Sequence, residues 1–154
     1  MVLREGLDFA RGRSQGVLVT RRADGQPHLS NILYHLGSRT GGEGSDGPGG
    51  SPSPVVRISV TDSRMKTRHL RREATASLYV PGESFWSYVV LDGTAELSPV
   101  AETPDDSTVE ELVALYRSIR GEDHPDWAEY RETMVAERRL VVRLLPTQAY
   151  GITG

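Results

Sequence analysis

The chain has 154 residues, 18 Lys and Arg against 21 Asp and Glu, a formal net charge of -3 and no cysteine. That length fits one compact domain spanning residues 1–154, with a core that needs no disulfide or metal staple. Without cysteine, thiolate zinc sites and cysteine nucleophiles are excluded. The sequence pI of about 5.8 disfavours a general nucleic-acid binder. No apolar run reaches the ~20 residues of a membrane span, and the charged start MVLREGLDFARGR is unlike a signal peptide. A cytoplasmic protein is therefore expected.

Leu3, Leu7 and Ala10 predict a short amphipathic helix. GVLVT, 16–20, reads as a buried strand, and Ala23-Asp24-Gly25-Gln26 as a hairpin turn. PHLSNILYHL, 27–36, reads as one return strand covered on both sides. Gly37 to Pro54 is dense in Gly, Ser and Pro, and is expected to be a flexible loop insertion at a hairpin tip. VVRISV, 55–60, and ATASLYV, 74–80, predict further strands. Phe85 to Leu97 predicts a long strand bulged at Asp92-Gly93. Asp105, Asp106 or Ser107 is placed to cap a helix over 108–120 that Gly121 ends; a second helix is expected over 126–137. Strands over 139–146 and 148–152 close the chain. About seven strands joined by short turns predict a mainly β protein, an antiparallel closed or split barrel with helices at one side.

Between strands 55–60 and 74–80 stands DSRMKTRHLRR, with five Lys or Arg and one His in eleven residues. Asp62 or Ser63 is expected to cap a helix beginning at Arg64. Cations in a first helical turn oppose the helix dipole, so Arg64 and Lys66 make sense if an anion sits over them. Backbone amides, one Arg, one Lys and the Thr67 hydroxyl would form a phosphate cradle. Arg68, Arg71 and Arg72 lie where the dipole favours cations, and read as a solvated face.

Conventional catalytic groups are scarce. There is no Gly-x-Ser-x-Gly elbow and no His-Glu-x-x-His helix. His28 and His35 fall on opposite faces of one predicted strand and cannot share a metal there. A cofactor that carries the chemistry itself resolves this poverty. A flavin-type cofactor needs a phosphate anchor, hydrogen bonds to its ring edge and a flat wall. Arg64 and Lys66 suit the first; His28, Asn31 and Ser59 the second; Trp86 and Tyr88 the third, with core packing or a dimer contact as their alternative role.

SNILYHL, VRISVTDSRMKTRHLRR, ATASLYV, WSYVVLDGTAEL, TVEELVALYRSIRGEDHPDWAEYRETMV and RLVVRLLPTQAYGI occur in an order that resembles the pyridoxamine 5′-phosphate oxidase-like split barrels. Within these, the chain is similar to the actinobacterial branch that uses the deazaflavin coenzyme F420. The resemblance covers nearly the whole chain except Gly37 to Pro54. It implies a homodimer with two cofactor sites at the interface. It implies that Arg64, Lys66, Thr67 and Arg68 bind the cofactor phosphate, with a further contact at His69, where the branch often has Asn. It implies that Ser30-Asn31 approaches the ring, with His28 nearby, and that the partner subunit contributes the Trp-Ser-Tyr segment standing here at Trp86 and Tyr88. The implied activity is hydride transfer from reduced F420 to a small electron-poor acceptor, with no obligatory catalytic side chain; Tyr88 and His28 are the candidates for a proton relay. FMN in place of F420, and a non-catalytic F420 carrier, are the alternatives. No nucleic-acid or membrane partner is expected.

Overall fold

The computed structural model describes residues 1–39 and 53–154. Helix α1 spans Leu3–Ala10, and strands β1 and β2 span Gln15–Arg21 and Pro27–Leu33. β3 spans His35–Ser38, β4 Pro54–Thr61 and α2 Met65–Arg72. β5 spans Thr75–Pro81 and β6 Tyr88–Leu97. α3 spans Ser107–Arg120, α4 Trp127–Ala136 and β7 Arg139–Ile152. The expected loop over 37–54 meets the structure only at its ends, which belong to β3 and β4; residues 40–52 lie outside the described residues.

One seven-stranded sheet runs in the order β2-β1-β5-β6-β7-β4-β3, with every neighbouring pair antiparallel. Its two edge strands, β2 and β3, are consecutive in sequence and joined through Tyr34 alone. The sheet therefore curls until its edges meet at that residue, which is the geometry of a split barrel. The single strand expected over 27–36 is instead two. The Tyr34 amide donates to Ser14 O and its hydroxyl to Ala10 O, which takes the residue out of the ladder and buries its ring completely. Burial also raises the Tyr34 hydroxyl pKa far above the ordinary tyrosine range.

Leu18, Ile58, Leu78, Leu91, Leu140 and Leu144 fill the barrel. At about 1.5–3 kcal/mol each, such side chains dominate its stability. α1 packs beside β6 and β7, where a Cβ on Gly6 would stand 2.4 Å from Ala149 Cβ, so only glycine permits the approach. A register shift at Asp92/Gly93 confirms the expected bulge, and a Cβ on Gly93 would collide with Leu145 O. The bulge lets β7 continue through Pro146 as one strand rather than the two expected. β6 begins only at Tyr88; Phe85, Trp86 and Ser87 belong to the turn before it.

α3 and α4 cover the outside of β4 and β7 over a second core of Val109, Leu112, Val113, Met134 and Val141. Asp106 caps α3 by accepting from Val109 N, and Gly121 ends it at φ 71°. The expected cap of α2 is absent. Arg64 is its N-cap residue and no side chain caps it, because the Asp62 carboxylate pairs instead with Arg71 at 2.6 Å and Arg138 at 3.2 Å. Those two guanidinium groups hold the Asp62 carboxyl below the usual carboxylate range.

Candidate functional site

A cavity of about 580 Å³ opens where the ends of β2 and β4, the start of α2, the start of β7 and the α3–α4 pair converge. It brings together Asn31, Ser59, Arg64 and Lys66, four of the residues singled out from sequence. It adds four that were not: Arg139, Arg120, Tyr116 and Tyr130. Arg64, Lys66, Arg120 and Arg139 give the lining four cations, and among the described residues it has no carboxylate.

Two of these cations have defined anchors. Lys66 lies in the first turn of α2, which Thr67 fixes by donating its buried hydroxyl to Thr61 O at 2.8 Å. Arg139 opens β7, pairs with Glu137 at 2.9 Å and reaches Ser59 Oγ at 3.4 Å. Burial first, and then the charges of Arg64 and Arg139, hold the Lys66 ammonium below the ordinary lysine range. Among the described residues no carboxylate lies within ion-pair distance of Arg64 or Lys66. The opposite wall is aromatic. Tyr116 and Tyr130 meet edge to face at 5.2 Å, and Tyr130 donates its hydroxyl to Leu112 O, with burial pushing its pKa up to about 12. Trp127 and His124 pack against both rings and stiffen the wall.

Other sequence candidates do not line this cavity. The Thr67 hydroxyl expected to meet phosphate is buried, and its one proton goes to Thr61 O, so it cannot also donate to an anion. Arg68 is exposed on the helix face away from the cavity. His69 is buried under α2 with Nδ1 3.0 Å from Thr20 Oγ1, and His28 packs on it with ring centroids 4.9 Å apart. Helical rotation explains the split: two and three positions after Lys66 the side chains turn from the cavity to solvent and then to the barrel. His35 sits on β3, at the opposite end of the sheet order from His28, and lines a different cavity beside Arg57 and Glu111.

Trp86 and Tyr88 lie elsewhere in the same chain. Trp86 is 73% exposed and stacks edge to face on Phe85; Tyr88 is half-buried against Tyr79. They border an outward sheet face whose cross-strand register runs Asn31, Val17, Tyr79, Val90, Tyr150. Leu29, Leu33, Tyr150 and Ile152 on this face are exposed, contrary to the expectation that β2 is covered on both sides. A hollow of about 450 Å³ on this side is lined by Val17, Asn31, Leu33 and Pro81 among others. It shares Asn31, Ile32 and Leu33 with the cationic cavity, so the two meet around the end of β2.

This architecture recurs in solved structures. A conserved hypothetical protein from Mycobacterium tuberculosis superposes with TM-score 0.65 at 21% identity over 97% of this chain and 82% of its own. A candidate pyridoxamine 5′-phosphate oxidase from Listeria innocua matches with TM-score 0.59 at 17% identity over 98% of both chains. The chain has the pyridoxamine 5′-phosphate oxidase-like split-barrel fold. An F420 reductase shares this split barrel with TM-score 0.57 at 20% identity, over 93% of this chain and 94% of that one. No family model matches the sequence. Among the described residues no helix is long and apolar enough to cross a membrane.

Proposed function

We propose that this chain is a homodimeric F420-dependent reductase acting on a small electron-poor organic acceptor. The observation that carries the reading is the cavity with four lining cations and, among the described residues, no lining carboxylate, beside a hollow on an apolar sheet face. Cations gathered at the cost of mutual repulsion fit a phosphate-bearing ligand. The F420 reductase of the same fold supports deazaflavin as that ligand.

In this reading Arg64, Lys66 and Arg139 hold the phosphate and Ser59 donates beside them. Asn31, at the junction of the two hollows, orients the ring. A second copy covers the exposed face of Leu29, Leu33, Tyr150 and Ile152, and its own Trp86 segment closes the ring pocket against water. Reduced deazaflavin, when bound, supplies the hydride; the protein aligns ring and acceptor. Of the two proton-relay candidates, Tyr88 borders the outward face whereas His28 packs on the buried His69 and lines neither hollow, so Tyr88 is the one able to approach a ligand.

Titration of the purified protein with F420 and, separately, with FMN tests this, followed by fluorescence and by mass in solution. Tight F420 binding by a dimer, with weak FMN binding, is expected, followed by oxidation of reduced F420 when an enone or quinone is added. Preferential FMN binding moves the chemistry to FMN on the same anchor. Binding without turnover across an acceptor panel makes the protein a carrier. A monomer that binds neither overturns the reading.

A further inference from the structure

We propose that His69 is a positioning residue of the anion site, and that its buried contact with Thr20, packed against His28, keeps α2 seated so that Arg64 and Lys66 can grip their ligand. The inference rests on the anion-anchor reading of the cavity.

α2 has eight residues, and its two ends do different work. The start carries Lys66 into the cavity. The last two turns are held to the barrel by Leu70, which is buried, and by His69, which is 3% exposed. The contact between His69 Nδ1 and Thr20 Oγ1 is the buried polar link between α2 and β1. Beneath it, His28 stands directly across from Thr20 in the β1–β2 register and meets the His69 ring edge to face, with planes at 80°. His28 Nδ1 and the neighbouring Ser30 Oγ are buried with no hydrogen-bond partner among the described residues. His69 thus has one anchoring hydroxyl and little water to solvate a charge.

The charged and titratable groups acting on His69 are His28 on β2, Arg72 on α2 and Arg22 in the turn after β1; none is a carboxylate. Burial, then these charges, hold the His69 imidazole below the usual histidine range. A group whose folded pKa is lowered binds fewer protons folded than unfolded. Its contribution is intact above the ordinary histidine range and is lost as pH falls through it. Acid therefore loosens the seat of α2, and Lys66 and Arg64 lose their fixed placement. A merely cationic surface would behave in the opposite way and bind anions better in acid.

Sulfate is a suitable probe, because its charge is constant between about pH 5 and 8. Wild-type protein is expected to lose sulfate affinity severalfold from the upper to the lower end of that window. His69→Asn keeps a polar group for Thr20 but cannot take a proton, and should bind sulfate at the upper end while losing the pH dependence. Thermal unfolding of ligand-free protein over the same window should show the matching acid destabilisation in wild type and its reduction in His69→Asn. If that variant does not fold, His69→Gln, which also removes the titrating imidazole, should flatten both profiles. Sulfate that binds equally at both ends, or a pH dependence that survives loss of the His69 imidazole, overturns the coupling and leaves the anchor standing. Failure to bind sulfate at any pH overturns the anchor and the coupling together.

Discussion

Two clusters of cations flank α3, and they are built on opposite plans. On one side Arg57 and Arg143, cross-strand neighbours on β4 and β7, share the carboxylate of Glu111 at distances from 2.5 to 2.8 Å. The two guanidinium groups hold that carboxyl below the usual range despite the burial that opposes them. On the other side Arg64 and Lys66 face a cavity whose lining, among the described residues, has no carboxylate, and the carboxylate that Arg139 pairs with, Glu137, does not line it. The first cluster carries its counterion within the chain and docks a helix. The second needs one from outside. Positive charge alone does not mark a site; a missing internal counterion does.

The comparison breaks most sharply at Glu111. Glu111→Ala removes the carboxylate that Arg57 and Arg143 share in a half-buried setting, and should cost about 3 kcal/mol in denaturant unfolding. A loss below 1 kcal/mol would mean that this cluster, too, is not held by its internal counterion. Lys66→Met should do the reverse. Sulfate or F420 affinity should fall by about 1.5–3 kcal/mol, the size of a charged hydrogen bond, while the ligand-free protein unfolds no more easily than wild type. The sign follows from the lowered Lys66 pKa: the charged ammonium is disfavoured in the folded state at every pH below the ordinary lysine range, so removing it relieves a cost. Lower ligand-free stability in Lys66→Met would refute that account.

Thr67→Val sharpens the boundary of the site. It removes one of the two donors to Thr61 O, leaving the Arg64 amide, and should cost about 1 kcal/mol of stability, with sulfate affinity changed less than in Lys66→Met. An equal loss of affinity would return Thr67 to the ligand shell. Arg68→Ala should change neither stability nor affinity by more than about 0.5 kcal/mol, because its side chain is exposed and away from the cavity. A tenfold affinity loss would extend the site round the helix.

Much was legible in the sequence because it is local. Period-two and period-3.6 patterns located the strands and helices; Asp106, Gly121 and the Asp92-Gly93 bulge sat where short-range chemistry puts them. The anomaly of Arg64 and Lys66 was visible too, since the helix dipole is a property of consecutive residues. The sequence by itself determined the antiparallel β class, the helical cap and one edge of a cationic site. Only the tertiary structure decided that β2 and β3 are the two edges of one curled sheet, because that break depends on Tyr34 finding Ala10 O and Ser14 O. It alone joined Arg139, Tyr116 and Tyr130 to Lys66, since four elements, α2, α3, α4 and β7, must meet to form that cavity. And it turned Thr67 and His69 inward. The run of cations suggested one ligand-facing stretch, but a helix advances each side chain by about 100°, so neighbours in the run face cavity, solvent and core in turn.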